Sequence, residues 1–161
     1  MQTAAEILTQ PFATLPDLVA AHARERGDKA VNIHGVASLT YGQLDAGMDA
    51  IAAALQRDGL RHGQAVAIVG VMSLDYAALF LGAIRAGGAP APVAPSSTGD
   101  QMAAMIADSG TGLLFLDADA MSTLGDRPVT ATRVALDGSD AGIAFDAWLG
   151  KVRRFWGRDL D

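Results

Sequence analysis

Residues 65–71 read Ala-Val-Ala-Ile-Val-Gly-Val, a continuous apolar run of strand length with no polar residue to mark an outer face. That pattern belongs to a strand covered on both sides, as in a parallel sheet sandwiched between helices. Ser73 follows as a helix N-cap, Asp75 suits the positive end of the helix dipole, and Tyr76, Leu79, Phe80 and Ala83 form an apolar stripe up to Gly87-Gly88. Ala89 to Ala94 resumes as a strand in which Pro90 and Pro92 each lack an amide donor, so it pairs on one side only or sits near an edge. Thr98 and Gln101 stand at capping-box spacing before a helix whose face is Met102, Met105 and Ile106 and which ends at Asp108-Ser109-Gly110. Leu113 to Leu116 is another buried strand. Strand, helix, strand, helix, strand, with crossovers of about 15–20 residues, specifies right-handed parallel units. The expected fold class is α/β: a mainly parallel sheet with helices on both faces.

Upstream, Thr14, Pro16 and Asp17 open a helix carrying Leu15, Leu18, Val19 and His22 until Gly27. Ala30 to Ile33, a turn at His34-Gly35, and Ala37 to Leu39 read as a hairpin. Thr40 and Gln43 cap a second helix whose buried face is Leu44, Gly47, Met48, Ile51 and Leu55, with Gly59 ending it. Beyond Asp117 the signals weaken to a short strand at Val134 to Leu136, a turn at Gly138 to Asp140 and a short helix at Phe145 to Leu149. Residues 1–150 are expected to form one domain. Residues 151–161 form a basic and aromatic tail, with Lys151, Arg153, Arg154 and Arg158 around Phe155 and Trp156; it reads as an exposed terminus or as a docking segment.

Composition excludes whole classes of function. The 161 residues carry a formal net charge of −6, against the clustered Lys and Arg that neutralise nucleic-acid phosphates or anionic lipid, so nucleic acid is not an expected partner. With no cysteine there is no disulfide, thiolate nucleophile or Cys-based metal site, and three scattered histidines offer little to other transition metals. No apolar run approaches the roughly 18–20 residues of a membrane span, and the first residues do not resemble a signal peptide. The expected address is cytoplasmic.

Parallel sheets bind ligands at the carboxyl ends of their strands, so the loops after Val71, Ala94 and Leu116 are the first places to seek chemistry. Gly70 stands alone where a dinucleotide fold needs Gly-x-Gly-x-x-Gly, and Ser73 reads as a helix cap. Of two Ser/Thr/Gly clusters, Ser109-Gly110-Thr111-Gly112 precedes a strand and reads as a structural turn. Pro95-Ser96-Ser97-Thr98-Gly99 leaves a strand and enters a helix, where amides favour an anion or polar ligand. His22, His34 and His62 have no carboxylate spacing that suggests a triad or ligand set. Asp117 and Asp119 end a strand without a partner base, and helix capping or solvation accounts for them. Lys29 is the lone lysine of the body, which leaves lysine-dependent covalent chemistry unsupported.

Several segments together resemble the beginning of the adenylate-forming superfamily, the acyl- and aryl-CoA ligases related to 4-coumarate:CoA ligase. Leu39-Thr40-Tyr41-Gly42-Gln43-Leu44 is similar to that family's first signature. Val66 to Gly70, Ser73-Leu74-Asp75-Tyr76 and Leu81-Gly82-Ala83-Ile84-Arg85-Ala86-Gly87-Gly88 resemble its strand, turn, helix and second signature. Asp108-Ser109-Gly110 before Leu113-Leu114-Phe115 matches the next segment, so the resemblance covers about residues 13 to 120.

The resemblance implies an ATP-dependent carboxylic acid:CoA ligase: the acid becomes an acyl-adenylate with release of pyrophosphate, and the CoA thiol then attacks it. ATP, Mg and CoA are implied for the full-length enzyme. Its phosphate loop ending in Lys, its ribose-binding Asp and its C-terminal Lys have no counterpart in this sequence, so the chain is expected to be an inactive scaffold, as a truncation, a proteolysed piece or an interrupted gene product. In similar ligases the loop after the second signature approaches CoA; here it is Ala94, Pro95, Ser96 and Ser97, with Arg85 the one nearby cation in sequence. The acid stays unnamed. The alternatives are a freestanding small α/β binding module and an interaction protein that self-associates through an open sheet edge.

Overall fold

The computed structural model describes residues 1–35 and 37–150; the expected tail at 151–161 and the side chain of His34 lie outside the described residues. Thr3 and Glu6 form a capping box that starts α1 (Ala4–Leu8), a helix absent from the sequence-based expectation. Ala4 and Ile7 lay α1 on Ala21 of α2 (Leu15–Arg26), itself started by the Thr14–Asp17 box. The expected hairpin is present as β1 (Ala30–His34) and β2 (Ala37–Thr40), paired antiparallel. Thr40 and Gln43 then cap each other and open α3 (Tyr41–Arg57), which buries all five expected residues of its apolar face.

The central unit follows as β3 (Ala65–Val69), α4 (Leu74–Arg85), β4 (Ala89–Val93), α5 (Gly99–Ser109) and β5 (Leu113–Leu116). After it come α6 (Ala118–Leu124), β6 (Thr132–Ala135), β7 (Ile143–Ala144) and α7 (Phe145–Leu149). Of these, β7 was not expected, and α6 only as a helix that Asp117 and Asp119 could cap. The five strands are all parallel, in the order β4-β3-β5-β6-β7. Ala89 of β4 donates its amide to Gln64 O at 2.8 Å, so the alternating outward positions of this edge strand are 90 and 92, both proline.

Strand side chains alternate between two apolar layers, as the two-residue period requires. Val66, Ile68, Phe115 and Val134 face α3, α4 and α7, whereas Ala67, Val69, Leu114, Leu116 and Ala135 face α5 and α6. Helices therefore cover both faces. Met105, expected beside Met102 and Ile106 in the core, is 41% exposed: it sits on the solvent side of α5 while its two neighbours fill the second layer. The segments after Asp117 add to these two layers instead of building a core of their own.

Candidate functional site at the carboxyl ends of the strands

From β3 the chain crosses to β4 on one side, then returns past β3 to β5 on the other. The helices that follow β3 and β5, α4 and α6, pack on opposite faces of the sheet. Their leading loops diverge and leave a crevice outside the carboxyl ends, the topological switch point at which open α/β sheets bind ligands. The structure has a cleft of about 320 Å³ there, lined by Ala37, Val71, Ser73, Leu74, Asp75, Asp117, Leu136 and Asp137.

Asp117 organises one wall. Its Oδ2 accepts the Val71 amide at 2.9 Å and its Oδ1 the Ala120 amide at 2.8 Å, so one buried carboxylate both caps α6 and holds the loop after β3. This approach needs Gly70, because a Cβ there would stand 2.7 Å from Asp117 Oδ2. Opposite, Asp137 Oδ2 accepts the Ala118 amide at 2.9 Å and Oδ1 the Ser139 amide at 3.1 Å. Partial burial pushes the Asp137 carboxyl up, but the hydrogen bonds from Ser139 and Ala118 outweigh it and hold the group below the ordinary carboxylate range. Ser73 does what its position implied: its Oγ accepts the Tyr76 amide and caps α4. Val71 and Met72 stand at the rim, 67% and 64% exposed. An apolar wall with carboxylates and no Lys or Arg among its lining residues suits an uncharged organic group and does not fit a triphosphate. No group of three metal-ligating side chains is assembled among the described residues.

The turn Ala94-Pro95-Ser96-Ser97 lies one strand further out, closed by the Ser97 amide on Ala94 O at 3.0 Å, and is not part of this cleft. The cation beside it is not the expected Arg85. Arg85 ends α4 at the opposite end of β4 and bonds Asp45 Oδ1 at 2.6 Å, Asp49 Oδ1 at 2.8 Å, and the carbonyls of Asp45 and Pro16. It ties α2, α3 and α4 together. Arg85→Ala is expected to lower stability by about 1–3 kcal/mol in urea unfolding, and Arg85→Lys to recover little of it, because an ammonium lacks the guanidinium fork. A loss under 0.5 kcal/mol, about the level of an ordinary surface change, would contradict this role. Near the turn, the structure supplies Arg127 instead. Its guanidinium packs so closely on Gly99, at the start of α5, that any Cβ there would collide with it, and its Nε bonds Asp100 Oδ1 at 2.7 Å.

Two further candidates have structural roles. Thr111, in the second Ser/Thr/Gly cluster, is buried between β3 and β5. His22 meets the Arg26 side chain and the Tyr41 ring. A larger hollow of about 490 Å³ lies at the amino ends of the strands, beside Asp58, Gly59, Gly110 and Gly112. There Asp58 is engaged by Arg57 and by the Trp148 indole, bonds that outweigh its partial burial and hold its carboxyl below the usual range.

A five-stranded parallel sheet with helices on both faces and a switch-point cleft defines an α/β domain of the ligand-binding type. The chain belongs to the AMP-binding enzyme family, whose model matches residues 19–149. It thus lies among the adenylate-forming ligases, the superfamily its opening segments resemble. It is 34% identical over 113 residues to the fatty acid–[acyl-carrier-protein] ligase ScoC of Streptomyces coeruleorubidus, covering 69% of this chain and 21% of that protein. It is 29% identical over 129 residues to syringomycin synthase SyrB1 of Pseudomonas syringae pv. syringae, covering 80% of this chain and 21% of that one. The crystal structure of a benzoate CoA ligase from Burkholderia xenovorans superposes with a TM-score of 0.76 at 17% identity, over 86% of this chain and 28% of that one, which is a likeness of fold. The chain thus spans about a fifth of the length of these two curated relatives.

Proposed function

We propose that this chain is the amino-terminal part of an ATP-dependent carboxylic acid:CoA ligase, forming an acyl-adenylate and then a thioester. The family match over residues 19–149 carries the reading. The likeness to a ligase that joins a fatty acid to a carrier protein supports acid activation followed by transfer to a thiol. In this reading the sheet is scaffold and the carboxyl-end cleft is one wall of the acyl channel, its apolar lining suited to the uncharged part of an organic acid. CoA approaches Ala94, Pro95, Ser96 and Ser97, where two serine hydroxyls, the first amides of α5 and the Arg127 guanidinium offer donors to a phosphate.

Alone, the chain is expected to be inactive, since its two lysines are Lys29 and Lys151 and neither closes a Ser/Thr/Gly loop. Mixing it with ATP, a panel of carboxylic acids and CoA should release no pyrophosphate; measurable turnover would refute the inactive scaffold. Titrating CoA should shift the amides of Ser96, Ser97 and Gly99, and Arg127→Ala should weaken that response about fivefold, the value of one modest charge-assisted hydrogen bond. Shifts confined to other loops would overturn the CoA placement. A second reading puts a carrier-protein thiol in place of CoA, favoured by ScoC, and the same titration with a phosphopantetheine-bearing carrier protein separates the two. Self-association, if the chain acts as an interaction module, would use β7, because prolines occupy the outward positions of β4. A mass that stays monomeric across a dilution series argues against it.

A further inference from the structure

We propose that the first turn of α6 is a shared latch, through which the loops after β3, β5 and β6 around the carboxyl-end cleft loosen together instead of one by one. The turn consists of Asp117, Ala118, Asp119 and Ala120. Its opening amides have no partners within the helix and must be satisfied from outside it. Ala120 N–H is taken by Asp117 Oδ1 and Ala118 N–H by Asp137 Oδ2, which reaches in from the loop after β6. The other oxygen of Asp117 holds Val71 N–H in the loop after β3, and the Asp117 amide itself donates to Val69 O at 3.2 Å. Two carboxylates therefore join three loops through one helical turn.

The turn can act as a unit because α6 is seven residues long, anchored by Ala120 and Leu124, and stopped at Gly125. A helix that short is marginal by itself and forms or frays as a whole. If Asp137 lets go of Ala118, the turn loses one of its fixed amides, Asp117 is less well held, and Val71 on the far side of the cleft is released in turn. Coupling of this kind is reciprocal, so a group seated against Val71 would also steady the loop after β6. Ser73 provides the contrast, because its hydroxyl caps α4 alone and joins none of these loops. The inference concerns this chain's own hydrogen bonds and does not depend on the ligase reading.

Residue-resolved amide exchange on the 161-residue chain tests it. Asp137→Ala, at an exposed position, should speed exchange about tenfold at Ala118, and should also raise Val71 and Ala120 at least about threefold, although the amides of both are held by Asp117 and not by Asp137. Asp117→Asn should raise Val71 and Ala120 together and carry Ala118 with them. Ser73→Ala should raise Tyr76 and leave Val71, Ala118 and Ala120 unchanged. The shared latch is overturned if Asp137→Ala speeds only Ala118 and Ser139, with Val71 within about twofold of the unaltered chain. Since Asp137 lies at the surface, that result is available even if the Asp117 variant fails to fold.

Discussion

Phe115→Ala is expected to remove about 3–5 kcal/mol of stability. Phe115 lies on β5, the middle strand of the sheet, and is completely buried. Its ring meets Trp148 edge-on at 4.8 Å and Phe145 at 6.3 Å, so it is one of the contacts that fasten α7 over the sheet. Truncation to Ala removes the transfer free energy of the ring and leaves a cavity that a parallel sheet, fixed by its ladders, cannot collapse to fill. It also forfeits two aromatic contacts worth about 0.5–1.5 kcal/mol each beyond area. Against a total stability of about 5–15 kcal/mol for an ordinary domain, the variant sits near the edge of folding. Urea unfolding followed by circular dichroism and tryptophan emission measures the change. Phe115→Leu, which keeps most of the volume, should lose under half as much. If the Ala variant unfolds within 1 kcal/mol of the unaltered chain, a third or less of the loss argued for it, Phe115 is not the keystone of this layer.

The elements that could be read from sequence are those whose signals are local and redundant. The α3 face was legible because five apolar positions at helical spacing, a capping box and a terminal glycine agree. The β3 run announced a sheet covered on both faces, and Pro90 and Pro92 placed β4 at an edge. α1 could have been read from Thr3 and Glu6 at capping-box spacing, but five residues hold too little periodicity to stand out. Site geometry was less legible because it rests on contacts between residues far apart in the chain. Asp117 was expected to cap a helix or sit in solvent; it does cap one, and its second oxygen reaches back to Val71, 46 positions away. Gly70 was read only as too little for a dinucleotide motif, yet it is required by that carboxylate. Likewise Arg127 stands beside the Ala94–Ser97 turn through packing against Gly99, whereas Arg85, nearer in sequence, is spent on Asp45 and Asp49 at the other end of the strand.

Thr111→Val, nearly isosteric, should cost about 1–3 kcal/mol, because it leaves the buried Leu113 amide without its acceptor and the Ala65 carbonyl without its donor. In a parallel ladder the amide of one residue on β3 and the carbonyl two residues earlier both turn toward the same neighbouring strand. At the amino end of the β3–β5 pair the register begins at Ala67 and Leu114, so Ala65 O, one step earlier, faces a place that no paired residue of β5 fills. The Thr111 hydroxyl takes it: Oγ1 accepts Ala67 N–H at 3.3 Å and Leu113 N–H at 3.2 Å, and lies 3.0 Å from Ala65 O and 2.6 Å from Leu113 O as donor. A hydroxyl has one proton and two lone pairs, so both acceptor positions and the donor are in use. Valine keeps the shape and removes all three. Thr111→Ser keeps the hydroxyl and should lose about 1 kcal/mol or less, chiefly the methyl contact. The pair separates the two meanings of a Ser/Thr/Gly cluster at this place. If Thr111 holds a ladder end, denaturation midpoints rank Val well below Ser, and Ser close to Thr. If Val unfolds at the same midpoint as Thr, the hydroxyl is not holding the sheet, and the Ser109–Gly112 loop would have to be reconsidered as a site for a ligand.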